Sequence, residues 1–328
     1  MPKPSPPSSP PPLRVGLVGA GRTRQGLGPY LATALEAAGA RVTAVSGRDL
    51  GAARLAAVAL AERLQHPVSA AASAADLARG VQALVVASPV GRHLEGLDAA
   101  LAAGVPCLCE KPLVDWQQAD AAQQRIAAFA ARGLLLDENC QWPFVLPALF
   151  DLHPGLVGAP VREVAMGLGP AAVGPTMIVD SLSHVLSVVQ SLAVLDGHAP
   201  VTRVQQSESA ALAEHNDVRF ELAATTGPIA VHLHLRRCPE PPRPAWLAVN
   251  GARVDRRIGA DYAQSFVAAD GREAKVRDPL QQLVYRFVAL TQAKDLERTS
   301  ALASFAALRL RLYTDILRTL EGGRRSRE

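Results

Sequence analysis

Short apolar runs alternate with helix-length stretches through the first 137 residues of the chain. Residues 14–18 (Arg-Val-Gly-Leu-Val) read as a strand, followed at once by glycines and then by a helix over 30–38 that stops at Gly39. A strand over 41–46 precedes an alanine-rich helix over 50–64, and 76–79 reads as a helical turn. The apolar run 81–87 suits a strand buried on both faces. A helix over 91–103, a strand over 105–109, a helix over 116–132 and a strand over 134–137 continue the rhythm. Strands alternating with helices predict a doubly wound parallel sheet of the α/β class.

Past Glu138 the period changes. Residues 176–195 form one more helical stretch, and then polar and apolar positions alternate over 218–224, 229–236, 246–250 and 253–258. Thr226-Gly227-Pro228 and Asn250-Gly251 punctuate these segments, and an Asn-Gly pair between short strands signals a hairpin. Helices over 280–293 and 302–320 close the chain. The expected organisation is a proline-rich tail over 1–12, a doubly wound domain over 13–137, and an α+β domain over 138–328 with an open, mainly antiparallel sheet.

Composition narrows the classes. With 49% hydrophobic and 20% charged residues the chain is globular, and a net charge of +4 over 328 residues lacks the concentrated basic face of a nucleic-acid binder. Residues 1–12 hold seven prolines and no apolar run, so neither a helix nor a signal peptide is expected there. No stretch is long and apolar enough to predict a membrane span. Cys107, Cys109, Cys140 and Cys238 form neither a disulfide framework nor a zinc-ligand pattern, which predicts buried reduced thiols, no metal and a cytoplasmic setting. His232 and His234 share one sheet face without a third ligand and are read as polar surface residues.

Four groups carry candidate chemistry. Glu110-Lys111-Pro112 follows a strand of the parallel sheet, where open α/β sheets bind ligands, and the proline restricts the lysine backbone. The glycine run after the first strand is Gly19-x-Gly21-x4-Gly26, with Arg22, Thr23 and Arg24 inside it. Gly19 permits the tight turn, Gly21 lets backbone approach a pyrophosphate, and amides of the following helix face the phosphates. Ser46-Gly47-Arg48 ends the second strand where an acidic residue would accept ribose hydroxyls. A hydroxyl and a guanidinium instead favour the 2′-phosphate of NADP, with NAD possible. Asp180 and His184, four apart on a predicted helix, share a face; a carboxylate beside an imidazole would orient it and raise its protonated fraction.

These residues together resemble the glucose–fructose oxidoreductase, inositol dehydrogenase and rhizopine catabolism (Gfo/Idh/MocA) family. The resemblance runs from about Leu13 to Leu320 and implies a Rossmann domain joined to a substrate domain. It implies that Lys111, Asp180 and His184 form the catalytic group. It places Ser88, Pro89, His93 in the turn beyond them, and Glu110 along the cofactor, and Asn139 and Gln141 on the substrate side. Many members carry Gly where this chain has Leu182, and a second aspartate where it has Ser187. The implied activity is hydride transfer between nicotinamide and a CH–OH or carbonyl carbon of a small sugar- or polyol-like substrate, in a homodimer or homotetramer. A catalytically silent dinucleotide-binding regulator, and an imine reductase or epimerase using the same cofactor, stand as alternatives.

Overall fold

The computed structural model describes residues 11–21, 26–207, 213–259 and 263–325. Most of the proline-rich tail and the expected phosphate contacts Arg22 and Thr23 lie outside the described residues.

Six strands form the first sheet: β1 (Leu13–Val18), β2 (Ala40–Ser46), β3 (Ser69–Ala71), β4 (Ala83–Val86), β5 (Cys107–Cys109) and β6 (Leu136–Glu138). Their order is β3-β2-β1-β4-β5-β6 and every pairing is parallel. β4 and β5 are buried at every position, as their apolar runs require. β3 escapes the sequence reading because it is three small residues at the sheet edge.

Helices α1 (Gly28–Ala37) and α2 (Leu50–Leu64) cover one face, and α3 (Ala74–Arg79), α4 (His93–Ala103) and α5 (Ala119–Ala131) cover the other. The limits of α2 have local causes. Asp49 caps its first turn through a 2.7 Å bond from the Ala52 amide, and Gln65 turns left-handed (φ 59°) at its end.

Eight strands form the second sheet, in the order β14-β13-β12-β11-β7-β10-β9-β8. They are β7 (Glu163–Leu168), β8 (Thr202–Gln206), β9 (His215–Ala224), β10 (Gly227–Arg236), β11 (Ala245–Val249), β12 (Ala252–Ile258), β13 (Gln264–Ala268) and β14 (Glu273–Val276). Only β7 and β10 pair in parallel. Asn250 and Gly251, both with positive φ (49° and 81°), make the tight β11–β12 turn expected of that pair. β7 lies in mid-sheet with four consecutive buried residues, so it shows none of the alternation that betrays its neighbours. Helix α6 (Leu146–Leu152) and the long α7 (Pro175–Leu192) pack on this sheet, and α7 buries Met177, Ile178, Leu182, Val185, Leu186 and Val189.

The last two helices cross the expected division at residue 137. In α8 (Pro279–Ala293), Leu283, Val284 and Phe287 are wholly buried in one core with Leu17, Leu31, Leu35, Val85 and Leu108 of the first sheet and α1. Each such side chain contributes about 1.5–3 kcal/mol. The Tyr285 hydroxyl adds a 2.9 Å bond to the Ala37 carbonyl. Helix α9 (Leu296–Arg325) runs past α5, β6 and α7 and joins the two halves. No described helix is long and apolar enough to cross a membrane.

Candidate active site

The carboxyl ends of β1, β4 and β5 are held level by two backbone bonds: Ala87 N–H to the Val18 carbonyl and Glu110 N–H to the Val86 carbonyl, each 2.8 Å. Gly19 follows β1 with φ 88° and donates to the Ser46 carbonyl at 2.9 Å. A Cβ on Gly19 would lie 2.5 Å from the Ser88 nitrogen, so only glycine fits this turn. Among the described residues, a Cβ on Gly21 would meet nothing within 4 Å.

The third glycine is not the one the spacing suggested. Gly26 lies before the helix, whereas Gly28 begins α1, followed by Pro29 in the first turn. A Cβ on Gly28 would stand 2.8 Å from Ala20 Cα and 2.9 Å from the Gly19 oxygen. Gly28 therefore lets helix and turn pack closely, the part assigned to Gly26. Pro29 was the available signal, since proline favours the first helical turn. A cradle lined by backbone at Gly19 and Gly28 and open at Gly21 fits the pyrophosphate of a dinucleotide.

Around this cradle the expected cofactor contacts separate. Arg48 projects into solvent, its side chain 81% exposed, and pairs with Asp49 at 3.1 Å. Ser46 is 1% exposed with its hydroxyl buried and unpaired, so its side chain does not face the open ribose end. Ser88 likewise buries its hydroxyl, while Pro89 is exposed on the rim. His93 is buried and turned inward. Its Nε2 meets the Ser88 carbonyl at 2.8 Å and its Nδ1 meets the Pro112 and Leu113 carbonyls at 3.1 Å. It braces the loop after β4 against the lysine loop rather than touching a cofactor, and burial pushes its pKa below 6.5.

Lys111 stands past β5, with a cis bond to Pro112. Its Nζ donates to the main-chain carbonyl of Asp180 at 2.7 Å, tying the first sheet to α7. An ammonium has three donors, so this bond leaves others for an incoming oxygen. Glu110 is held from behind by the Asn139 amide, and burial raises its pKa. Asn139 is itself buried and donates its amide N–H to Glu110, while its Oδ1 is buried with no partner among the described residues.

His184 lies one turn beyond Asp180 on α7, yet the expected carboxylate–imidazole bond does not form. The imidazole Nδ1 is buried with no partner, and its ring stands edge-on to Trp142 at 6.5 Å. Burial, with the cations Lys111 and Arg256 nearby, lowers the His184 pKa well below 6.5. This is the opposite of the expected rise. The four-residue spacing fixes where the two side chains leave the helix, not whether they meet. His184 is thus neutral at pH 7 and able to accept a proton.

Gln141, Trp142 and Arg256 border a recess of about 30 Å³ with Val145, Gln264, Phe266 and Pro279. Arg256 went unnoticed in the sequence, although a signal exists. On β12, Arg253, Asp255 and Arg257 are exposed while Val254 and Arg256 point inward, so an arginine occupies an apolar-face position. A second overlooked group is the buried pair Arg309–Glu138, 2.7 Å apart. Glu138 also accepts the Leu113 amide at 3.1 Å, and Arg309 donates to Gln190 at 2.8 Å.

The remaining polar candidates have other partners. His234 Nδ1 meets Asp217 at 2.6 Å on the outer sheet face. The cysteines are free; Cys107, Cys109 and Cys140 are buried, and burial pushes the Cys140 thiol up to about 12.

Residues 13–138 match the model of a family described as an oxidoreductase family with an NAD-binding Rossmann fold. The inositol 2-dehydrogenase of Streptomyces avermitilis is 46% identical over 76 residues, which is 23% of this chain and 21% of that protein. The matched stretch thus spans about a fifth of that relative. Solved structures share the fold over nearly the whole chain. The UDP-N-acetylglucosamine 3-dehydrogenase of Acidithiobacillus ferrooxidans superposes with TM-score 0.62 at 21% identity, covering 92% of this chain and 96% of its own. A 3-ketoreductase from Actinomadura kijaniata, solved with NADP, gives TM-score 0.66 at 19% identity with the same coverages.

Proposed function

We propose, from the match of residues 13–138 to the model of the Gfo/Idh/MocA oxidoreductases, that this protein transfers a hydride between a nicotinamide dinucleotide and a CH–OH or carbonyl carbon of a small hydroxylated substrate. The observation that carries this reading is Lys111, fastened to α7 within electrostatic reach of the neutral His184 at the carboxyl end of the parallel sheet. Gly19, Gly21 and Gly28 would hold the pyrophosphate, and the bound nicotinamide would accept or supply the hydride. In the oxidative direction His184 takes the hydroxyl proton as general base. Lys111 faces the same oxygen and stabilises its developing negative charge. Asp180 positions Lys111 through its carbonyl, and its carboxylate is available to a substrate hydroxyl.

NADP is the favoured dinucleotide. Arg48 is the group that supports this choice, because its guanidinium is free to swing from the exposed Asp49 contact onto a phosphate. Asp49, the nearest carboxylate, is engaged as the cap of α2. The Ser46 hydroxyl is buried and offers a 2′-phosphate no exposed donor.

Titration with NADPH and NADH, followed by cofactor fluorescence and calorimetry, tests the assignment. Tighter NADPH binding that collapses in Arg48→Ala is expected. Preference for NADH refutes the role of Arg48, and binding of neither dinucleotide refutes the oxidoreductase reading. The same reading expects a homo-oligomer, which sedimentation would establish.

A further inference from the structure

We propose that the substrate bears a carboxylate and that Arg256 binds it in a recess whose Trp142 wall also faces His184; this deepens the oxidoreductase reading and rests on it. Arg256 points inward from β12 into a recess shared with Gln141, Trp142 and Gln264. Its guanidinium carbon lies 5.8 Å from the Trp142 ring, and the His184 ring lies 6.5 Å from that same indole. One aromatic side chain therefore touches both the proposed base and the arginine.

Among the described residues the guanidinium has no counter-ion: no carboxylate comes within 4 Å of Arg256, whereas Arg286 pairs with Asp137 and Arg309 with Glu138. Its Nη2 donates to the Arg243 carbonyl at 2.8 Å, and its Nε is buried with no partner. A part-buried cation with an unmet donor is costly unless an anion completes it. Burial and the neighbouring Arg243 weaken its hold on the proton, as expected of a cation awaiting a counter-charge.

The chemistry of the site selects the anion. A guanidinium offers paired N–H donors matched to the two oxygens of a carboxylate. The recess is lined by Gln141 and Gln264 besides apolar side chains and, among the described residues, holds no acidic residue that would repel an anion. Binding there would also cancel the Arg256 charge felt by His184, making the imidazole a stronger base only when substrate is present. Gln141 and Gln264 supply further donors at the rim.

The NADPH-loaded protein is titrated calorimetrically with D-glucuronate, L-tartrate and malonate, each against its uncharged counterpart, D-glucose, threitol or propane-1,3-diol. At least one acid is expected to bind about tenfold or more tightly than its counterpart, as a charge-assisted hydrogen bond implies. Arg256→Gln removes that preference and Arg256→Lys keeps part of it, with dinucleotide affinity unchanged in both. The inference is overturned if no acid outbinds its counterpart, if the preference survives Arg256→Gln, or if inorganic phosphate binds as tightly as the acids. The comparison of acids with neutral compounds uses the unaltered protein, so it decides even if a variant fails to fold. Absence of dinucleotide binding is a separate result that refutes the oxidoreductase reading; the same titration on the cofactor-free protein then still decides Arg256.

Discussion

Removing Arg309 strands the Glu138 carboxylate in the core behind the lysine loop. The two side chains are 9% and 3% exposed and 2.7 Å apart, so water screens little of their attraction. Glu138 also holds the Leu113 amide, two residues from Lys111, and Arg309 also holds Gln190 on α7. In Arg309→Met the carboxylate keeps its burial and loses its cation, and losing one partner of such a pair costs about 3–5 kcal/mol. In Glu138→Gln the amide oxygen still accepts from Leu113, but the buried guanidinium is left without its partner, a loss of similar size. The double variant removes both charges, so its loss should fall short of the added single losses by about 2 kcal/mol. Urea unfolding of the four proteins at pH 7, followed by circular dichroism, measures the cycle. A loss below about 1 kcal/mol in Arg309→Met, or strictly additive losses, would refute a buried, interdependent pair.

Three further outcomes are expected. Lys111→Ala should lower turnover by about 10²–10⁴-fold while leaving dinucleotide affinity within a few-fold, measured by steady-state rates and cofactor titration; near-normal turnover removes Lys111 from the chemistry. In the proposed mechanism the neutral imidazole is the base, and burial beside Lys111 and Arg256 lowers the His184 pKa well below 6.5. The acid limb of kcat/KM in the oxidative direction should therefore fall below pH 6.5, and a limb centred at or above 6.5 contradicts the assignment of His184 as base. Gly28→Val places carbon against Ala20 and the Gly19 oxygen, so α1 must shift, with about 1–3 kcal/mol lost in urea unfolding and weaker dinucleotide binding. Retained affinity would leave Gly26 as the third glycine.

Much of the first half was legible because parallel strands covered on both faces read as apolar runs, and β4 and β5 do so in full. In the second half the alternating strands β9 to β12 were legible for the complementary reason, one face being covered. β7 failed to show itself because mid-sheet burial erases alternation.

At the site, residue types were legible and their contacts were not. His93 was read as a ligand contact, yet both its ring nitrogens meet carbonyls of neighbouring loops, and the Asn139 amide N–H is held by Glu110. Either use needs the same side chain, so only its surroundings distinguish them. Asp180 matters through its carbonyl, a group every residue carries and no side-chain motif reports. Arg256 was legible in principle as the one charged residue on the inward face of β12, but its neighbours Trp142 and His184 come from distant segments.

The place of α8 bears on the order in which the chain is made. Leu283, Val284 and Phe287 fill the face of the first sheet beside Leu17, Val85 and Leu108. During synthesis from the amino terminus, the six parallel strands emerge long before those side chains exist. At about 5–20 residues per second the part of that face which α1 and α2 leave to α8 stays uncovered on the order of ten seconds. The half built on the first sheet is translated first and finished nearly last, and a nascent chain halted after β6 offers the uncovered strip beside α1 to chaperones or to other chains.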